Sequence, residues 1–329
     1  FVAYGSAVSA SSLTDTYTLN ELEEMLRDAK TQTALVADKP LFSYPEEYQR
    51  FQERHAAHDV ERGDYRTYAG KAYLGIDAGS TTTKIVLLSE DHKLLYEFYA
   101  SNKGQPLDCI QRELSALYAD LSPDCQICGS AVTGYGEDLI RAGLGVDFGI
   151  VETVAHFKAA SFFCPEVDFI IDIGGQDIKC FQIKNHSIDS IMLNEACSSG
   201  CGSFIQAFAV ALGYDIAEFS KLGLFAEHPV DLGSRCTVFM NSSVVSEQRR
   251  GKGPGDIMAG LCRSIIENVF TKVIRVSNLN RLGDKVVVQG GTFRNDAVLR
   301  AFEQYLGKPV TRAPHPGLMG AIGILSLIH

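Results

Sequence analysis

The chain has 329 residues, 46 % of them hydrophobic and 21 % charged, and a formal net charge of −10. That is the composition of a globular protein long enough for two lobes, and its acidic balance argues against nucleic acid or an anionic membrane as main partner, since both recruit basic patches. Nine scattered cysteines do not make a secreted disulfide framework, no apolar run is long enough to span a bilayer and no signal peptide is read, so a cytoplasmic protein is expected.

Position 1 is Phe, and Phe1–Ser9 and Leu318–Leu325 are both small-residue, glycine-containing apolar segments. Residues 1 to about 12 are therefore expected to be the last helix of a preceding, homologous domain. Thr18-Leu19-Asn20-Glu21 reads as a capping box opening a helix with an apolar stripe of Leu19, Leu22, Met25 and Leu26. Residues 30–70 turn polar, with Pro40, Pro45, Arg50, Arg54 and Arg62, and read as a linker or an arm on the main body. Residues 1–70 are taken as an N-terminal extension, and the compact unit is expected from Lys71. Strands are expected at 72–76, 84–89 and 94–100, a helix at 108–121, a strand at 126–133 and a helix at 151–163. These make lobe I, 71–165, completed by 309–329. Lobe II, 166–308, repeats the pattern with strands at 168–173, 178–184 and 187–193. Helices at 202–212 and 255–279, a strand from Val286 and a helix at 295–306 follow. A strand at 309–311 and a last helix from Gly317 close the chain. The order βββαβα thus occurs twice.

The chemistry concentrates in three glycine turns. Tyr73–Lys84 reads YLGIDAGSTTTK: a strand ending in Asp77, then Gly79, the hydroxyls of Ser80, Thr81 and Thr82, and Lys84. Phe169–Asp177 repeats the logic with Asp172, Gly174, Gly175 and Gln176. Glycine lets backbone N–H groups approach phosphate oxygens closely, and each aspartate is a ligand for Mg²⁺, directly or through water. Two such turns facing each other clamp a nucleoside triphosphate. A third strand, Val286–Gln289, ends in Gly290-Gly291. The Gly-Lys-Ser/Thr ending of a P-loop is missing. The three turns in this order resemble the actin, sugar-kinase and chaperone-ATPase superfamily, of ribonuclease-H-like fold. The resemblance implies an α/β chain of two duplicated lobes, phosphates at the first two turns and adenosine at Gly290-Gly291.

Most cysteines are expected in the core. Cys125-x-x-Cys128 lies in a strand pattern without a second pair and is read as structural. Cys197, in Asn194-Glu195-Ala196-Cys197-Ser198-Ser199-Gly200-Cys201-Gly202, and Cys236, in Gly233-Ser234-Arg235-Cys236-Thr237-Val238-Phe239, precede predicted helices. Thiols at helix N-termini ionise more easily and ligate metal. A 4Fe–4S cluster takes four cysteines, so two per chain imply one cluster shared across a two-fold axis.

DAGSTTTK, Thr133–Gly136 (TGYG), Asp172–Lys179 (DIGGQDIK) and the two cysteine segments together resemble the BadF/BadG/BcrA/BcrD ATPases, activators of 2-hydroxyacyl-CoA dehydratases and benzoyl-CoA reductases, over residues 72–328. The resemblance implies a homodimer holding one 4Fe–4S cluster through Cys197 and Cys236. It implies ATP and Mg²⁺ as cofactors, with Asp77, Asp172 and Gln176 at the metal and attacking water. It also implies a low-potential electron passed to a dehydratase-like acceptor from reduced ferredoxin or flavodoxin. Cys201 stands where the activators usually carry another residue, leaving the choice of sulfur open between it and Cys197, and the N-terminal extension suits longer relatives with two activase-like units. The rival readings are a small-molecule kinase of the N-acetylhexosamine type and a nucleotide-binding regulatory domain without a cluster.

Overall fold

The computed structural model describes residues 8, 17–25, 39–56, 60–194, 201–234, 237–276 and 278–328. Residues 1–39 and 40–329 form separate units. In the first, residues 19–25 are helical and the capping box is made: Thr18 N–H and Oγ1 donate to Glu21 Oε2 at 2.6 and 2.8 Å, and Glu21 N–H donates back to Thr18 Oγ1 at 3.3 Å. Leu19, Leu22 and Met25 of the expected stripe are exposed. Leu26 and most of the segment likened to the C-terminal helix lie outside the described residues.

The second unit is built on two five-stranded sheets of matching order. Strands β1 (Gly70–Ala78), β2 (Thr82–Ser89), β3 (Leu94–Ser101), β4 (Cys125–Thr133) and β5 (Phe148–Gly149) lie as 3-2-1-4-5. Strands β6 (Phe169–Ile173), β7 (Ile178–Lys184), β8 (Ser187–Asn194), β9 (Val286–Gln289) and β10 (Thr311–Arg312) lie as 10-9-6-7-8. In each sheet the first three strands pair antiparallel, and the central one pairs parallel with the fourth. β6 is buried throughout and β1 over its last five residues, as strands covered on both faces must be; hence their unbroken apolar runs. The duplicated, two-lobed α/β fold expected from the sequence is the fold observed.

The helices are α1 (Pro45–Ala56), α2 (Pro106–Asp120), α3 (Glu137–Leu144), α4 (Glu152–Phe163), α5 (Gly202–Ala211), α6 (Ile216–Leu222), α7 (Thr237–Arg249), α8 (Pro254–Asn268), α9 (Asp296–Leu306) and α10 (Met319–Ile328). α10 returns to lobe I, where Ala321, Ile322, Ile324 and Leu325 join Val86, Ala131 and Ala155 in one core. The approach is close enough that a Cβ at Gly323 would lie 1.8 Å from the Ala155 carbonyl oxygen.

Three expectations are corrected. The chain crosses back to lobe I after Arg312, not before Pro309, because Thr311 and Arg312 pair with Val287 and Val288 of the second sheet. The long helix expected at 255–279 is α8 followed by a π turn, Val269–Ile274, which ends at Arg275 in the left-handed region; the change falls where β-branched Val269, Thr271, Val273 and Ile274 crowd the helix. Residues 40–56 are part of the compact unit instead of preceding it. Leu41, Phe42 and Phe51 sit in the lobe II core, and Arg54 donates to both Glu303 oxygens at 2.7 Å.

Candidate nucleotide site

The first two turns face each other. A Cβ built on Gly175 would lie 3.7 Å from Thr81 Oγ1, so the hydroxyl turn of lobe I opposes the glycine turn of lobe II. Each is braced from behind. Gly79 N–H donates to the Thr82 carbonyl at 3.0 Å, and the buried Asn102 donates from Nδ2 to the Gly79 carbonyl at 2.8 Å and from its N–H to the Thr81 carbonyl at 3.0 Å. In the second turn the Gly174 carbonyl accepts from Gly202 N–H at 3.0 Å and Thr292 Oγ1 at 2.9 Å, while Gly175 accepts from Ser203 N–H at 2.9 Å. The bonds from Asn102, Gly202, Ser203 and Thr292 occupy turn carbonyls and leave turn N–H groups to an anion, whereas the N–H groups of Gly79 and Gly174 are taken inside their own turns, by the Thr82 and Asp177 carbonyls at 3.0 Å. The third turn lies over the end of β6: Gly290, at φ +93°, donates to the Pro316 carbonyl at 2.7 Å. A side chain there would be strained, and its Cβ would meet the Ile173 carbonyl at 2.3 Å and Asp172 Oδ1 at 2.7 Å.

The carboxylates lie beneath. Asp77 is 2 % exposed; its Oδ2 is 3.0 Å from Lys84 Nζ, and its buried Oδ1 accepts no hydrogen bond among the described residues. Burial opposes the Lys84 charge, but Asp77, with Tyr99 and Asp172, outweighs it and raises the ammonium's pKa. Asp172 is equally buried and meets His156 of α4, Nδ1 to Oδ2, at 2.5 Å. His156 Nε2 lies 3.6 Å from Glu152 Oε1, Glu152 is 2.9 Å from Lys179 Nζ, and Lys179 also pairs with Asp177. Burial disfavours an imidazolium at His156, yet Asp172 and Glu152 prevail and bring its pKa to about 10. Burial would likewise raise the two carboxyls, and His156 with Lys179 holds both below the usual range. Opposite charges thus alternate along Asp172, His156, Glu152 and Lys179. Gly320 joins the two halves: a Cβ there would lie 2.6 Å from Asp77 Oδ2 and 3.2 Å from His156 Nε2.

The structure thus brings together, where the turns meet, Asp77, Gly79, Ser80, Thr81, Thr82, Lys84, Asp172, Gly174, Gly175, Gly290 and Gly291. Gln176 is exposed at the tip of the second turn. Cys197 and Cys236 lie outside the described residues, and among the described residues no group of three or more His, Cys, Asp or Glu is arranged to hold a metal. Cys125 is buried and Cys128 exposed, both as free thiols. Sequence reasoning missed Asn102, Glu152, His156, Lys179 and Gln289. The available signal was Glu152-x-x-x-His156, two titratable groups one helical turn apart just before the Asp172 strand.

The fold is a duplicated, two-lobed α/β fold of the actin and sugar-kinase type, with its paired carboxylates under facing glycine turns. The profile of the BadF/BadG/BcrA/BcrD ATPase family matches residues 74–326, and the chain belongs to that family. It is 31 % identical over 251 residues, 76 % of this chain and 94 % of the relative, to the (R)-2-hydroxyglutaryl-CoA dehydratase activating ATPase of Acidaminococcus fermentans. It is 30 % identical over 252 residues, 76 % of this chain and 92 % of the relative, to the 2-hydroxyisocaproyl-CoA dehydratase activator of Clostridioides difficile. Among solved structures, component A of the Acidaminococcus fermentans dehydratase superposes with a TM-score of 0.66 at 30 % identity, over 77 % of this chain and 96 % of that one. The Clostridium difficile activator with bound ADPNP gives 0.66 at 29 % identity, over 77 % and 92 %. The chain is an ATPase.

Proposed function

We propose that the chain is an ATP-hydrolysing activase that delivers a low-potential electron to a 2-hydroxyacyl-CoA dehydratase-like or benzoyl-CoA reductase-like partner. The observation that carries the ATPase half is the pair Thr81 and Gly175 facing across the cleft, with Asp77 and Asp172 beneath. The activator names of the relatives, and a match of 24 % identity to a benzoyl-CoA reductase polypeptide of Thauera aromatica, support the partner class.

In this reading the turn N–H groups and the Ser80, Thr81 and Thr82 hydroxyls take the phosphates, and Gly290-Gly291 takes the adenosine side. The residues fit Mg²⁺: Asp77 Oδ1 is a hard oxygen donor, buried and without a hydrogen-bond donor among the described residues, and Asp172 keeps Oδ1 apart from the His156 contact. Bound there, the ion would neutralise charge developing on the phosphates. Asp172, oriented by His156 and by Gln289 Nε2 at 3.2 Å, positions the attacking water, with Gln176 as a second orienting group. A 4Fe–4S cluster shared by two copies would take Cys197 and Cys236 from each, and would store the transferred electron. Cys201 is a poorer ligand, because it is wholly buried in the lobe II core of its own chain. A ferredoxin or flavodoxin would be the donor.

The test is Asp172→Asn. We expect ATP binding to persist and hydrolysis to slow by about 10²-fold or more, the scale of a positioned acid–base or metal–water group. Unchanged turnover would remove Asp172 from the reaction.

A further inference from the structure

Behind the third turn lies a cavity of about 530 Å³, within the range of small-molecule sites. Its walls come from four places: the segment after α1 (Arg62), strand β3 (Glu97 and Tyr99), the end of the third turn (Arg294), and β10 with the stretch that follows it back to lobe I (Arg312 and His315). In a protein of net charge −10, three guanidinium groups here share a wall with one carboxylate. Glu97 is taken by Arg62 at 2.9 Å and by His315 at 3.2 Å, and Arg312 pairs with Asp296 at 2.6 Å. Arg294 makes no ion pair among the described residues; it lies over the Tyr99 ring at 5.3 Å. Arg62 also lies outside the stretch that matches the family, 74–326.

We propose that this cavity is a second ligand site, for a small molecule bearing a phosphate group. Arginine forks match tetrahedral oxyanions with paired, charge-assisted hydrogen bonds, and Arg294 is the fork whose donors no carboxylate occupies. The space beyond a phosphate leaves room for the body of an ester. Tyr99 connects the site to catalysis. Lys84 Nζ lies 5.9 Å from the centre of its ring, and the Tyr99 hydroxyl would lie 2.6 Å from a Cβ on Gly291. A ligand drawing on Arg294 therefore bears on the residue that touches both Lys84 and the third turn. This link rests on the nucleotide-site reading above; the existence of the site does not.

The test is calorimetric titration of the full chain, saturated with ADP and Mg²⁺, with glycerol 3-phosphate in one arm and inorganic phosphate in the other. We expect one equivalent to bind, with Arg294→Gln weakening it about ten-fold or more, the scale of losing hydrogen bonds to a charged group. Arg62→Gln should weaken it in the same direction and leave ATP turnover without added ester unchanged. Equal affinity for both probes would show that the phosphate alone is recognised; tighter ester binding would show that the rest of the cavity is used. Either result supports the site. Absence of binding, affinity unaltered in both variants, or one-for-one displacement by nucleotide would overturn it, the last by making the cavity an end of the ATP site. Failure of Asp172→Asn to slow hydrolysis would overturn only the nucleotide reading.

Discussion

His156 of lobe I and Asp172 of lobe II meet at 2.5 Å, both buried. The contact joins the two duplicated halves at the point where the second aspartate is held. Replacing His156 by Ala removes the ion-pair partner of a buried carboxylate, so we expect a loss of roughly 3–5 kcal/mol in urea unfolding, the scale of breaking a buried pair. In a double-mutant cycle with Asp172→Asn the two costs should be strongly non-additive; additive costs would show that the pair is not energetically coupled.

Lys84 and Asp77 make the corresponding pair in lobe I, at 3.0 Å. Lys84→Met should raise the ATP concentration needed for half-maximal turnover and destabilise the fold, since it strands a carboxylate that is 2 % exposed. Steady-state kinetics beside a melting curve checks both. An unchanged melting temperature would place the Asp77 carboxylate in contact with water.

Acid should weaken the grip of α1 on the body. Burial would raise the Glu303 carboxyl, but His55 and Arg54 hold its pKa at about 2. A carboxyl depressed on folding adds stability above its unfolded value of 4.5 that disappears as pH falls toward about 2. Burial also lowers the His55 pKa below 6.5, a contribution lost in the same direction. Glu303→Gln should flatten the acid limb of the stability curve between pH 4.5 and about 2; an identical limb in both proteins would rule the group out as its source.

The three cysteines should separate cleanly. Cys197→Ala or Cys236→Ala should lose iron and dimer mass together, because each removes two of the four sulfurs of a shared cluster. Cys201→Ala should keep its iron and lose only about 1–2 kcal/mol of stability, as trimming a small core side chain does. Iron, sulfide and mass measurements on anaerobically purified protein decide it, and iron loss confined to Cys201→Ala would move the ligand there.

The part of this site that local chain chemistry dictates was legible in advance. Apolar strands ending in Asp77-Ala78-Gly79 and Asp172-Ile173-Gly174 announce a carboxylate and a turn within a few residues, and the repeat of their order announces the second sheet. What escaped depends on pairings far apart in sequence. His156 is an ordinary polar residue on a helix until β6 brings Asp172 against it. Leu41, Phe42 and Phe51 stand among prolines and charges, so their segment reads as a linker; only the α9 surface, with Glu303 and Arg300, shows that it is core. The turn at Arg275 is set by crowding along one helix, which periodicity alone does not register.

Lobe II takes its strands from one continuous stretch, Phe169 to Arg312, whereas the sheet of lobe I is covered by a helix starting at Met319. On a ribosome that emits the chain from its N-terminus, the first sheet is therefore made early and left with one apolar face open until nearly the whole second lobe has emerged. Domains fold as units in order of synthesis only when their contacts are local. Here the earlier lobe must wait for the later one, and Val86, Ala131 and Ala155 are the surface a chaperone would have to shield in the interval.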